Sequence, residues 1–257
     1  MALERTKRTV RLIEALVARR TERVSFAGQS LRVIRSRWWH DDFTQEILPY
    51  FEALDGARAG GTRAYRTIVD AGAATGLFSI AAALLYPAAR VHAFEPSLRQ
   101  RILLARNRRL NGLASRITVW PLGLWDRPGA LPFRTHGAMS SFEPVSMLPR
   151  GLAFTERARV TTLDYWGATT PIDLIKMDIE GAELEALAGA RAVLARDHPD
   201  VLVQAYHLRD GARTLERCAA LLADVGYTAR EVAAHPGLLV ATARHAARTP
   251  SAVRLHE

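Results

Sequence analysis

Val69-Asp70-Ala71-Gly72-Ala73-Ala74-Thr75-Gly76-Leu77-Phe78 is an apolar run that passes through two glycines into a second apolar run. It reads as a buried strand, a tight turn and the first residues of a helix. Gly72 and Gly76 lack a Cβ, so the backbone there can turn sharply and approach a ligand, while free amides at the helix start can face a polar or anionic group. A dinucleotide fingerprint needs G-x-G-x-x-G, and Ala74 stands where its second glycine belongs.

Outward from this stretch, strands and helices alternate, the sign of a parallel sheet covered on both faces. Strands are expected at Thr67 to Ala71, Val91 to Glu95, Ile117 to Pro121, Ile172 to Met177 and Val201 to Tyr206, and helices at Gly76 to Leu85, Leu98 to Asn111, Ala182 to Arg196 and Ala212 to Val225. The end of the chain, Tyr227 to Ala233 then Gly237 to Thr242 across His235-Pro236-Gly237, has hairpin character. Leu122 to Arg159 is irregular and long for a connection, so it is a functional loop or a small inserted hairpin. Upstream, residues 4–20 have the spacing of an amphipathic helix, Val24 to Ile34 alternates around Gly28 as a hairpin would, Asp42 to Leu54 reads as another helix, and Gly56 to Gly61 as a linker. The expected organisation is a helical and hairpin cap over 1–60, a doubly wound α/β domain over 61–245 with a mostly parallel sheet and a C-terminal antiparallel hairpin, and a basic tail over 246–257.

With 257 residues, 49% hydrophobic and 24% charged, the chain has globular composition. No apolar run reaches the roughly 20 residues that span a bilayer, and no charged segment followed by an apolar stretch marks the N-terminus, so neither membrane insertion nor secretion is expected. Cys218 is the single cysteine, which excludes an internal disulfide and a cysteine zinc cluster and fits a cytoplasmic setting. The formal charge is +9, with Lys7 and Lys176 the only lysines among 35 basic residues. Most of the excess lies in Arg5 to Arg37 and after Arg244. It reads as a solvated basic periphery that would attract nucleic acid or phosphorylated molecules without selecting among them.

Glu95 ends the second strand, 19 residues after Gly76, where a carboxylate can accept both hydrogen bonds of a ribose diol. Together with the Gly72-x-x-x-Gly76 spacing preceded by Asp70, this favours S-adenosylmethionine over NAD. Pro96, Ser97 and the turn around Leu122 are the expected adenine contacts, and Asn107 is read as a helix-surface amide. Asp173-Leu174-Ile175-Lys176-Met177-Asp178-Ile179-Glu180-Gly181-Ala182-Glu183 is a second strand ending in a polar turn. Ligands of open α/β sheets bind beyond the carboxyl ends of strands, so Asp178 and Glu180 could orient a hydroxyl, act as general base or hold a divalent metal. Glu183 and Glu185 read as first-turn residues that complement the helix dipole. Lys176 could pair with a carboxylate or contact substrate. His207 follows the next strand at the same edge and is suited to removing a hydroxyl proton. The acid-base reading without metal is preferred; Mg2+ would use Asp178, Glu180 and His207.

These residues resemble the FkbM family of S-adenosylmethionine-dependent methyltransferases, over about Thr67 to Tyr227. The likeness is carried by Asp70 to Gly76 with Ala93-Phe94-Glu95-Pro96, by Val160-Thr161-Thr162-Leu163-Asp164, and by Ile175 to Glu183 followed by Tyr206-His207. The resemblance implies a class I, Rossmann-like methyltransferase fold and O-methylation of natural products, sugars or glycans. It implies cofactor contacts from Asp70, Gly72, Ala73, Gly76, Phe78, Glu95, Pro96, Leu122, Ser140 and Asp178, and catalysis by Asp178, Glu180, His207 and Lys176. Many relatives carry a Glu two residues before the histidine, where this chain has Ala205. The cap and the 122–159 segment would form the acceptor pocket. Two other classes stay open: an RNA ribose methyltransferase, and a cofactor-binding protein without catalysis. Methylation of base amino groups is disfavoured, because Asp178-Ile179-Glu180-Gly181 stands where an Asn-Pro-Pro-Tyr type segment is expected.

Overall fold

The computed structural model describes residues 21–26, 28–34, 43–57, 64–136, 139–141 and 154–244. The helix expected over 4–20, residues 58–61 of the linker and the tail over 246–257 lie outside these residues. The chain begins with a hairpin of β1 (Thr21–Phe26) and β2 (Gln29–Ile34), followed by α1 (Phe43–Gly56). Then come β3 (Thr67–Ala71), α2 (Leu77–Leu85), β4 (Arg90–Phe94), α3 (Leu98–Leu110) and β5 (Ile117–Trp120). The segment read as irregular folds into β6 (Gly123–Leu124), β7 (Gly129–His136), β8 (Met139–Ser141) and β9 (Phe154–Thr161). After it run α4 (Leu163–Trp166), β10 (Leu174–Met177), α5 (Glu183–Ala188), α6 (Arg191–Asp197), β11 (Asp200–Gln204), β12 (Leu208–Arg209), β13 (Ala212–Arg213), α7 (Leu215–Asp224), β14 (Tyr227–Glu231) and β15 (Leu238–Ala243).

Seven strands form the central sheet in the order β14-β15-β11-β10-β3-β4-β5. Neighbours from β11 to β5 are parallel, while β15 runs antiparallel to both β11 and β14. The C-terminal hairpin therefore completes the sheet with its second strand innermost. From β3 the chain steps outward to β4 and β5, then returns to lay β10 on the other side of β3. That reversal opens a crevice beyond the carboxyl ends of β3 and β10, the expected place for a ligand.

Successive side chains of a strand face opposite sides, and the core is divided accordingly. Ile68, Leu174, Leu202 and Val240 join one buried cluster, and Val69, Ile175, Val201, Val203 and Leu239 join the other. The first cluster also takes Leu31 and Val33 of the hairpin, Ile47, Phe51 and Leu54 of α1, and Ile80 of α2, so the cap shares its core with the sheet. Phe51 stacks on Phe78 at 5.2 Å between ring centroids.

Of the two readings of the segment over 122–159, the inserted hairpin is the nearer: it contains a second sheet, order β6-β9-β7-β8, in which β7 and β9 form a seven-pair antiparallel ladder. Two other readings change. The single helix expected over Ala182 to Arg196 is two, parted at Gly189, where an added Cβ would lie 2.1 Å from the Trp125 carbonyl oxygen. Asn107 is fully buried rather than a surface amide. Its Oδ1 accepts from the Ile34 amide at 2.6 Å and its Nδ2 donates to the Thr75 carbonyl at 3.0 Å. One turn further along α3, Asn111 makes the corresponding pair with Arg32, accepting at 2.7 Å and donating at 2.6 Å. Two amides at i and i+4 thus meet alternate residues of β2 and act as a substitute strand along its edge. No helix of the described residues is long and apolar enough to cross a membrane.

Replacing Asn107 by Ala leaves the Ile34 amide and the Thr75 carbonyl buried without partners, which should cost about 2 kcal/mol in urea unfolding. Asn111→Ala, at a more exposed contact, should cost less than about 1 kcal/mol. Equal losses would count against the difference in burial as the cause.

Candidate active site

The turn after β3 is fixed from both sides. The Gly72 and Ala73 amides donate to the Phe94 carbonyl at 3.0 and 3.1 Å, tying the turn to β4. On the β10 side, an added Cβ at Gly72 (φ 73°) would lie 1.8 Å from the Asp178 carbonyl oxygen, so only glycine permits the approach. Ala74 occupies the left-handed region with φ 47°, a conformation costing a non-glycine residue about 1–2 kcal/mol. Its amide donates to Glu95 Oε2 at 2.8 Å, which holds it there. The Ser97 amide donates to Glu95 Oε1 at 2.7 Å. Each Glu95 oxygen therefore holds one backbone amide and keeps capacity for a second donor. Burial pushes the Glu95 carboxyl up to about 7 against the pull of these amides.

Beneath the turn lies a buried ion pair. Lys176 and Asp70 are register partners on β10 and β3, and Nζ stands 3.2 Å from Oδ1. Asp70 also accepts from the Ser79 hydroxyl at 2.6 Å, and Lys176 donates to the carbonyls of Gly72 at 3.1 Å and Ala71 at 3.4 Å. Burial alone would lower the Lys176 pKa, but the charges of Asp70 and Asp178 outweigh it and raise the value. The ammonium also lies 5.7 Å from the Tyr50 ring centroid and 5.9 Å from that of Phe78.

Beyond β10, Asp178 and Glu180 leave the strand on a turn in which Glu180 is itself left-handed, φ 56°. Glu180 Oε2 meets His207 Nε2 at 3.0 Å. Behind them Glu183, fully buried, accepts from the amides of Ile179 at 3.2 Å and Gly181 at 3.1 Å, and lies 3.7 Å from His207 Nδ1. Burial pushes Glu183 up to about 7. Burial would lower the His207 pKa, but the Glu180 hydrogen bond and the charges of Glu183 and Glu180 raise it. Asp178 Oδ2 accepts from the Tyr50 hydroxyl at 3.0 Å, while Oδ1 is buried with no hydrogen-bond partner among the described residues.

These groups surround a cavity of about 590 Å³. Of the residues expected from sequence, Gly72, Ala73, Phe78, Glu95, Pro96, Lys176, Asp178 and Glu180 line it. Asp70, Gly76 and His207 stand behind the wall, Asp70 reaching it through Lys176 and His207 through Glu180. Leu122 packs into the core, and its neighbours Gly123 and Leu124 take the wall instead. Ser140 pairs with Thr135 in the second sheet, and its side chain lies outside the described residues. The cap contributes Ile47, Pro49 and Tyr50, and the second sheet Phe133. The turn before β15 adds Ala234, His235 and Pro236, and Tyr206 projects beside it. The sequence carried no signal for Tyr50, which sits on an ordinary amphipathic helix, and Glu183 was hidden by its place in a first helical turn.

The residues suggested for Mg2+ have other partners in this structure. Tyr50 engages one oxygen of Asp178 and Glu180 engages Nε2 of His207, and no three His, Cys, Asp or Glu side chains of the described residues are grouped to hold a metal ion.

Comparison with known proteins gives consistent matches. The family model described as Methyltransferase FkbM domain matches residues 70–229. The methyltransferase sdnD of Sordaria araneosa is 31% identical over 153 residues, covering 48% of this chain and 59% of that protein. The crystal structure of a methyltransferase FkbM from Methylobacillus flagellatus KT superposes with a TM-score of 0.50 at 23% identity, covering 72% of this chain and 46% of that one. The chain thus spans about half the length of these relatives.

Glu95, Glu183 and His207 all hold protons more tightly in the folded chain than in the unfolded one. A folded state that binds more protons loses stability as pH rises. The ligand-free protein should therefore melt at a progressively lower temperature as pH increases from about 5 through about 7, the window between the ordinary carboxylate range and the raised values of Glu95 and Glu183, with His207 adding to the loss above the usual imidazole range. Glu183→Gln should flatten that slope. A Tm that climbs across the same window would refute the burial of these groups.

Proposed function

The chain belongs to the methyltransferase FkbM domain family, and from that premise we propose that it is an S-adenosylmethionine-dependent methyltransferase that acts on a hydroxyl of a small-molecule natural product, a sugar or a glycan. The observation that carries this reading is the pair of acidic side chains flanking the glycine turn at the sheet's switch point. Glu95 offers one further acceptor site on each oxygen, suited to two ribose hydroxyls, and Asp178 offers a buried oxygen without a hydrogen-bond partner among the described residues. This set of acceptors suits an adenosyl ligand laid across the turn. Such a cofactor supplies an activated methyl group, so the protein's share is to align the acceptor, exclude water and take up one proton.

Those duties divide among the residues on the wall. Gly72 to Ala74 and Glu95 bind the nucleoside portion, with Pro96 and Phe78 as apolar walls. Lys176 acts on the turn it supports rather than on the acceptor, because its charge is already engaged by Asp70 and two carbonyls. Glu180 faces the cavity with His207 behind it, and the pair is placed to receive the hydroxyl proton. Ile47, Pro49, Pro236 and Tyr206 provide an apolar and aromatic surface for the acceptor. The single buried thiol, Cys218, suits the reducing cytoplasm as the setting.

Calorimetry with S-adenosylmethionine and NAD side by side tests the cofactor, and a methyl-mass gain across a panel of hydroxylated acceptors tests the reaction. Only the adenosyl sulfonium should bind. Glu95→Ala should weaken that binding by about 1–3 kcal/mol with the fold intact. Because a ribose diol donates to the ionised carboxyl, wild-type affinity should rise as pH passes through about 7. Unchanged affinity in a folded Glu95→Ala variant would remove the ribose site.

A further inference from the structure

The side chain of Asp178, whose backbone carbonyl closes on Gly72 from the β10 side, is held by a residue from outside the matched family region. Tyr50 belongs to α1, and the family match begins at residue 70. Its hydroxyl donates to Asp178 Oδ2 at 3.0 Å, and its ring meets Phe78 edge-on at 5.6 Å. Burial and the Asp178 charge hold the phenol well above its usual range, so it remains a donor across the working pH. One oxygen of Asp178 is thus engaged, and Oδ1 is left buried without a hydrogen bond among the described residues. A buried carboxylate oxygen in that condition costs free energy until a donor, above all a cationic one, meets it.

We propose that Tyr50 is a positioning residue for the cofactor: it orients Asp178 so that Oδ1 receives the ammonium group of the methionine arm of S-adenosylmethionine. The inference rests on the function proposed above. Its geometry follows from the two ends of the glycine turn. Glu95 is hydrogen-bonded to the turn on the β4 side, and Asp178 presses on Gly72 from the β10 side. A ligand whose ribose sits at Glu95 and which crosses the turn brings its far arm to Asp178. The acceptor hydroxyl has its own carboxylate in Glu180, which His207 engages.

Tyr50→Phe keeps the ring contact with Phe78 and removes only the hydroxyl. Calorimetry on the full chain should compare S-adenosylmethionine with 5′-methylthioadenosine, which lacks the amino-acid arm. The substitution should lower affinity for S-adenosylmethionine about tenfold and leave that for methylthioadenosine within about twofold, since the lost interaction is with the arm alone. In an Asp178→Ala background it should have no further effect. Equal losses for both ligands would assign Tyr50 a role in cavity shape, and no loss for either would make the hydrogen bond idle; both overturn the proposal. If the wild-type protein binds both ligands equally, the Tyr50 inference fails while the cofactor reading stands. If it binds neither, the cofactor reading fails and takes the inference with it.

Discussion

A single ammonium group, Lys176 Nζ, ties together the parts of the molecule that matter for ligand binding. It is buried between the two strands where the sheet reverses, and it faces Asp70 across the β3-β10 register. An isolated charge at that depth would be costly, and breaking such a pair typically costs about 3–5 kcal/mol. Here the ion pair is supplemented by hydrogen bonds to two carbonyls of the glycine turn and by the faces of two aromatic rings. The turn, the strand ends and α1 are therefore referred to one point. Since strand pairing sets the Lys176-Asp70 juxtaposition, a one-residue slip of β10 would send Lys176 to the opposite face and dismantle the site.

The local field runs against the charge of the chain. The sequence is basic, with a formal charge of +9, yet the side chains gathered at the carboxyl ends of β3, β4 and β10 are Asp70, Glu95, Asp178, Glu180 and Glu183. Lys176 is the cation, and His207 the imidazole, in contact with them in the contacts described above. Of these carboxylates, Glu95, Asp178 and Glu180 line the cavity itself, so its wall is acidic where the surface of the chain is basic. The basic periphery can enrich anions near the surface, but it does not describe what the cavity accepts.

The parallel core was legible because its signals are local. Apolar runs ending in Gly72 or in Asp178 mark strand ends, and strand ends in such sheets are where ligands gather. What could not be read was long-range pairing between polar side chains. Asn107 looked like a surface amide because nothing near it in sequence announces β2 as its partner 73 residues away. Glu183 looked like a dipole-complementing helix residue because its buried role depends on a turn that folds back over it. The segment from Leu122 onward lacked clear periodicity, and its β7-β9 ladder became apparent only when the two strands, separated by a long excursion, were brought together. Tyr50 is the extreme case, since its contact with Asp178 spans 128 residues.

Two of the contacts that escaped the sequence, those of Asn107 and Tyr50, connect the N-terminal segment to the α/β domain. Asn107 bonds at once to Ile34 of the hairpin and to the Thr75 carbonyl in the glycine turn, so the seating of the hairpin and the shape of the turn are mechanically one matter. Tyr50 does the same for α1 and Asp178. A cap attached only by apolar contact could shift by fractions of an ångström without penalty, whereas one anchored by buried hydrogen bonds must keep its place or leave polar groups unsatisfied. Ile47 and Pro49 line the cavity from the same helix that places Tyr50, so the face that α1 turns to the cavity is held by the contact that fixes the helix to Asp178.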